Sequence, residues 1–241
     1  MSDIAINISN VTKKFKDVVA LNGVTMNFLP GNMYGIIGPA GAGKTTLFRT
    51  LLKLMRTDDG DINFTRAGTP VDFEDIRESI AYMPQSQSLY SDLSVDEHLD
   101  FFRRLYGIPD REYKTKKEEL LHLARLDKFL TRPAGHLSGG MYKKLGLICA
   151  LLRSPQIMLL DEPTNGVDPI SRREFWSLLH AARESGILIL ITTAYMDEAE
   201  RCSEVILMEN GNVLDSGEPQ ALLKKTKSAG FDDFFLKRGS K

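Results

Sequence analysis

Two cysteines in 241 residues, Cys149 and Cys202, exclude a disulfide-stapled scaffold and fit a reducing compartment. Charge of one sign is missing as well. The chain has 31 Lys and Arg against 32 Asp and Glu, a net of -1, so no global basic field points to nucleic acid. No apolar run approaches the roughly 20 residues that span a bilayer. The longest, over 145–152 and 187–191, have the lengths of a buried helix and a buried strand, so a membrane role would come through a partner. The first ten residues lack the basic and apolar regions of a secretory leader. Internal repeats and low-complexity segments are absent too. What is present is ordinary globular composition, 42% hydrophobic and 26% charged. That is enough chain for one large α/β domain or for a domain carrying an inserted subdomain.

Ile4, Ile6 and Ile8 alternate with smaller or polar residues and predict a strand. Further strands are expected over 24–28 and 33–37, then a helix over 44–53, and short strands near Ile62 and Ile80 after the Thr57-Asp58-Asp59-Gly60 breaker. From Leu93 to Leu152 the pattern is helical. Ser94 and Glu97 form a capping box for a helix ending near Gly107, a second helix fits 113–126, and a third begins near Ser138. Strand–helix alternation then returns: a buried strand over 157–160, a helix capped by Ser171 with Glu174, and a buried strand over 187–191. A hairpin turns on Asn210-Gly211. Phe231 to Leu236 reads as a short amphipathic helix packed on this same domain, and the last Gly-Ser-Lys as an added remnant or a cut linker. The order is α/β, helical insert, α/β.

Gly38-Pro39-Ala40-Gly41-Ala42-Gly43-Lys44-Thr45-Thr46 carries the pattern G-x-x-x-x-G-K-[ST] between a predicted strand and a predicted helix. Its glycines let backbone N–H groups approach phosphate oxygens, and the helix start adds the positive end of its dipole. Lys44 is expected to reach the β- and γ-phosphates, Thr45 to ligate Mg²⁺, and Thr46 to support the α-phosphate end. The pattern alone does not separate transporters from kinases, GTPases or helicases. The apolar run at 157–160 ends in Asp161-Glu162-Pro163. Ligands collect at the carboxyl ends of parallel strands. Asp161 is therefore expected near the Mg²⁺, and Glu162 is placed to orient the attacking water. A solvated strand end with two surface acids is the plainer alternative.

Leu137-Ser138-Gly139-Gly140-Met141 lies between these motifs and by itself is only a capped helix start. Phosphate loop, helical insert, LSGG and strand-Asp-Glu, in this order, resemble the ATP-binding domains of ABC transporters over nearly the whole chain. The resemblance implies a P-loop NTPase (RecA-like) core with an N-terminal antiparallel β subdomain and an inserted helical signature subdomain. One ABC domain would then fill residues 1–241, with its core at about 1–88 and 154–225, the insert at about 89–153 and a tail at 226–241. It further implies that two such domains pack head to tail around two ATP molecules, with Ser138, Gly139 and Gly140 of one gripping the γ-phosphate held by the other. Phe15 matches the aromatic that stacks on adenine, where Tyr is usual. A partly exposed core Phe is the plainer reading. Gln85 matches the glutamine that contacts Mg²⁺ and links core to insert, and Asp168 the residue that crosses to the partner site. The stretch from Gln85 through Leu89-Tyr90 to Leu93 would face a permease. The wording around Asp161 to Pro169, and Tyr142 to Leu147 after the signature, is similar to ABC-2-type multidrug or antibiotic exporters. In that group some members carry two ATP-binding halves in one polypeptide and work with a periplasmic membrane-fusion protein. The implied place is the cytoplasmic face of the inner membrane, bound to the permease, with no nucleic acid partner.

The family places a γ-phosphate-contacting histidine after the second buried strand, and here Ala194 stands there. None of the four histidines, His98, His122, His136 and His180, is close in sequence. Three readings fit: the hydrolytically weak half of an asymmetric pair, an engineered change, or hydrolysis through Glu162 without the histidine. The resemblance favours the first. A soluble ABC ATPase acting on ribosomes or DNA is the competing function. Its usual basic linker or long coiled-coil insert is missing from this sequence.

Overall fold

Alternation builds the first sheet. β1 (Ile4–Phe15) turns Ile4, Ile6 and Ile8 inward and pairs antiparallel with β2 (Val18–Phe28). The structure is a computed structural model and describes residues 3–86 and 89–239. Gln87 and Ser88 at the expected core–insert junction, Met1-Ser2 and the final Ser240-Lys241 lie outside the described residues. β2 begins six residues before the predicted 24–28. Val18 and Val19 are exposed, so the burial rhythm that marks a strand is absent there, and pairing with β1 extends it instead. β3 (Met33–Ile37) runs into the glycine-rich loop and α1 (Lys44–Leu51). β4 (Asp59–Arg66) starts inside the predicted breaker, and β5 (Thr69–Val71) is a three-residue edge strand with no sequence signal. The short α2 (Phe73–Ile76) and β6 (Ile80–Met83) follow.

α3 (Val95–Tyr106) has the reciprocal Ser94–Glu97 capping box and stops at Gly107, φ 64°. α4 (Asp110–Ala124) begins after Pro109, earlier than predicted, and ends at Arg125 in the left-handed region. α5 (Gly139–Leu151) is capped by Ser138. After β7 (Ile157–Asp161) comes α6 (Pro169–Glu184), whose cap corrects the sequence reading. The cap is Asp168, which accepts from the Ile170 and Ser171 N–H groups, with Pro169 at the first helical position. Ser171 lies inside the first turn, and Glu174 instead pairs with Lys144 and Arg125. A carboxylate that accepts two backbone donors, followed by a residue needing none, makes the better start. β8 (Leu188–Thr193), α7 (Met196–Ala199), β9 (Glu204–Glu209) and β10 (Asn212–Gly217) complete the sheets. Asn210 and Gly211, at φ 48° and 77°, form the predicted hairpin turn. α8 (Pro219–Thr226) and α9 (Phe231–Gly239) close the chain. Phe231 is buried, and Phe234 and Phe235 lean on the core of this same domain.

One sheet is antiparallel, in the order β2-β1-β4-β5. The other is β10-β9-β3-β8-β7-β6, parallel except for β10. The continuous apolar runs follow from the second sheet having two covered faces. Ile157 and Leu159, Leu188 and Leu190, Ile206 and Met208 face one core with α1 and the antiparallel sheet. Met158 and Leu160, Ile189 and Ile191, Val205 and Leu207 face a second core with α3 to α6. Each such side chain contributes roughly 1.5–3 kcal/mol on burial. The carboxyl ends of β3, β7 and β8 thereby end side by side.

Candidate functional site

The loop between β3 and α1 is shaped by Gly43, at φ 102° with the Ala20 carbonyl 2.3 Å from where a Cβ would stand. No other residue type fits that position, and α1 consequently starts with no side-chain cap. An uncapped helix start offers its N–H groups to an anion. Pro39, Ala40 and Gly41 form the exposed crest, Gly38 and Ala42 are buried beneath it, and Thr46 is half-buried. Lys44 is 5% exposed. Its ammonium donates to the Gly38 carbonyl at 2.7 Å and the Pro39 carbonyl at 3.0 Å, and lies 3.9 Å from Glu162 Oε1. Burial pushes its pKa down, against the pull of Glu162 and Asp161.

Asp161, at the end of β7, is fully buried. Its Oδ1 accepts from Thr192 at 2.6 Å and from Thr45 at 3.2 Å, while the buried Oδ2 has no partner. A buried unpaired carboxylate oxygen is costly unless something cationic or hydrogen-bonding comes to it. Hydroxyl and carboxylate are the hard oxygen donors that suit Mg²⁺. Among the described residues no cluster of three or more His, Cys, Asp or Glu side chains could hold a metal alone, so such an ion would take its remaining ligands from hydroxyls, water or a phosphate. Glu162 follows at φ 46°, a left-handed conformation costing about 1–3 kcal/mol in a residue with a Cβ. Its backbone N–H donates to the Thr192 hydroxyl at 3.0 Å, and its Oε2 accepts from Gln85 Nε2 at 2.7 Å. Strand β8 therefore aims both acids.

Lys44, Thr45, Gln85, Asp161 and Glu162 thus meet at one place. Lys143 joins them, and sequence reading missed it. Its ammonium donates to the Gln85 carbonyl at 3.2 Å, and burial lowers its pKa against the pull of Asp161 and Glu162. The available signal was two adjacent lysines, Lys143 and Lys144, inside an otherwise apolar helix. Phe15, at the end of β1, is 44% exposed with the Lys13 ammonium 5.7 Å from its ring centroid. It presents an open aromatic face.

Ser138 and Gly139 are exposed, with Leu137 and Met141 half-buried beneath them. Ser138 Oγ accepts from the Met141 N–H at 3.3 Å. Gly140 is buried against the start of α6, where a Cβ would stand 2.2 Å from that of Ser171. The neighbours of this segment are thus Gly166, Asp168 and Ser171 rather than the phosphate loop. Asp168 is exposed, and the Ser171 N–H holds its carboxyl below the ordinary range, so it stays an anion. Ala194 is exposed at the end of β8. Its neighbour Tyr195 lies beneath the Arg172 guanidinium, 4.1 Å from the ring centroid, with its hydroxyl 3.5 Å from Asn165 Oδ1.

The family model described as ABC transporter matches residues 21–165. The Escherichia coli protein named "Probable multidrug ABC transporter ATP-binding protein YbhF" is 40% identical over 239 residues, covering 96% of this chain and 40% of that protein. The chain thus spans about 40% of the length of that relative. A Nod factor export ATP-binding protein I from a Rhizobium species is 38% identical, over 93% of this chain and 74% of its own. Among solved structures, an ATP binding subunit of an ABC transporter superposes with a TM-score of 0.82 at 28% identity, covering 96% of this chain and 98% of the other.

Proposed function

The chain belongs to the ABC transporter ATP-binding family, and from that premise we propose that it binds and hydrolyses ATP to drive an exporter, as one of two such domains closing against a separate membrane permease. The observation that carries this reading is the separation of two half-sites on one chain. The uncapped phosphate loop, Asp161 and Glu162 stand together, while Ser138 and Gly139 face solvent beside Gly166 and Asp168, away from that loop. Each half is what the other lacks.

In this reading the β- and γ-phosphates take the Lys44 ammonium from the carbonyls of Gly38 and Pro39, and residues 38–46 cradle them. Thr45 and Asp161, with Gln85, would hold Mg²⁺, which neutralises charge on the phosphoryl oxygens. Glu162 accepts from the attacking water and is kept in register by Gln85 and Thr192. The Ser138 to Gly140 segment of a second domain supplies the remaining donors. Phe15 carries the adenine. Phe15→Ala is expected to weaken ATP by about 1–3 kcal/mol, the range for stacking a base on an aromatic ring. Calorimetric titration with ATP and with tripolyphosphate distinguishes the cause, because an equal loss for both would mean that no base is stacked.

Ser138→Arg tests the pairing directly. A long cation at an exposed helix cap would fill the space meant for the other domain's γ-phosphate. Binding of ATP to the monomer should survive, and the ATP-dependent dimer should vanish on size exclusion in a Glu162→Gln background. A normal dimer peak would rule out the composite site. Helix α3 and the segment before it leave Tyr90, Phe101 and Leu105 exposed, with Tyr90 and Phe101 edge to face at 5.5 Å. Such an aromatic surface suits a permease, and no described helix is long and apolar enough to cross a membrane. The export assignment, a multidrug-type substrate, a periplasmic membrane-fusion partner and residence at the cytoplasmic face of the inner membrane follow the named relatives and the sequence resemblance. Ala194 supports a second reading, that this domain is the slow half of an asymmetric pair.

A further inference from the structure

Glu198, on the four-residue helix α7, is fully buried and lies outside the chemistry proposed above. A buried carboxylate is tolerated only when donors surround it. Here they come from three separate stretches of chain. Its Oε2 accepts from the Thr193 hydroxyl at 2.7 Å. Its Oε1 accepts from the Thr164 hydroxyl at 2.7 Å and the Trp176 indole N–H at 3.2 Å, with Arg172 Nε 3.6 Å away.

The positions of these donors are what matter. Thr164 stands two residues past Glu162 and opens the segment leading to Asp168. Thr193 directly precedes Ala194, and its hydroxyl also accepts from the Tyr195 N–H at 3.0 Å, fixing the turn there. Trp176 and Arg172 belong to α6, whose first turn holds Asp168 and the Ser171 against which Gly140 rests. Arg172 further covers the Tyr195 ring. One carboxylate therefore joins three stretches beside the site: the loop after Glu162, the turn at Ala194 and the first turns of α6.

We infer that Glu198 is a positioning residue that locks the loop after Glu162 and the turn at Ala194 onto α6 as a single unit. Local stiffness is then shared: loosening either loop at the carboxylate loosens the other. A merely structural glutamate would lower stability without linking two loops that do not follow one another in sequence. The catalytic consequence rests on the hydrolytic reading above, whereas the linkage itself does not.

The test compares Thr164→Val, Thr193→Val and Glu198→Gln, using native-state hydrogen exchange alongside steady-state turnover. Thr193→Val removes a donor in one loop only, yet exchange should rise about tenfold in peptides covering both 162–168 and 192–196, as expected for losing a bond to a charged group. Thr164→Val should do the same in reverse. Peptides from β4 and α4 should exchange as in the parent. Turnover should fall about tenfold, with KM for Mg-ATP within about twofold, because geometry and not ground-state binding is lost. The double Thr164→Val/Thr193→Val variant should be no slower than the slower single variant. Loosening confined to the substituted loop, or unchanged turnover with both loops loosened, overturns the inference. A parent without turnover bears on the hydrolytic reading alone, and the exchange result still decides the linkage. If Glu198→Gln does not fold, the two valine variants carry the test.

Discussion

Glu162→Gln should bind Mg-ATP as tightly as the parent, lose turnover by about 10²–10⁴-fold, the range for a positioned acid–base group, and accumulate an ATP-bound dimer. The amide keeps the size of the carboxylate and can still meet Gln85, 2.7 Å away in the parent. It cannot accept a proton from water or draw it into line. Ground-state binding stays with Lys44, Thr45 and the loop backbone, which the substitution leaves alone. The Lys44 ammonium even gains freedom, since Glu162 Oε1 stands only 3.9 Å from it. Phosphate release at saturating Mg-ATP measures the first effect and size exclusion the second. Turnover near the parent rate would remove Glu162 from the water-orienting role.

The opposite change is expected at Ala194. Charge gathers on the γ-phosphoryl oxygens during transfer, and one well-placed donor there is worth about 10²–10³ in rate. Ala194 supplies no side-chain donor. Its exposure leaves room for an imidazole, and Tyr195 is committed elsewhere, to Arg172 and Asn165. Ala194→His should therefore raise turnover toward that full factor while leaving ATP affinity nearly unchanged, with Glu162→Gln as the zero. A parent already as fast as the variant would mean that no donor is missing. If neither turns over, a different partner must complete the site, as in an asymmetric pair.

The parts legible in the sequence are those where one chemical requirement governs a contiguous stretch. Gly43 must be glycine, Lys44 and Thr45 must follow it, and a strand covered on both faces must be apolar up to Asp161. Backbone geometry and burial write such stretches directly. What escaped reading depends on contacts between distant segments. β2 extends through exposed Val18 and Val19 because β1 lies beside it. Asp168 takes the cap from the Ser171-Glu174 pattern because Pro169 already suits a first helical turn and Glu174 is engaged by Lys144 and Arg125. Lys143 and Glu198 went unread because only the fold encloses them. Burial of a charge follows from its partners, and most of those partners lie tens of residues away.

The two-faced parallel sheet has a consequence for how this molecule comes apart. β3, β7, β8 and β9 lend alternate side chains to two cores, one shared with the antiparallel sheet and α1, the other with α3 to α6. Melting either layer would strip water-shielding from one face of all four strands while the other face stayed packed. Such half-dry strands have no stable resting state, because each unpacked face exposes residues such as Leu160 and Ile191 or Leu159 and Leu190. The layers are then expected to let go together, so that thermal unfolding followed in the phosphate loop and in the α3–α5 region should give coincident transitions, the mark of one cooperative event.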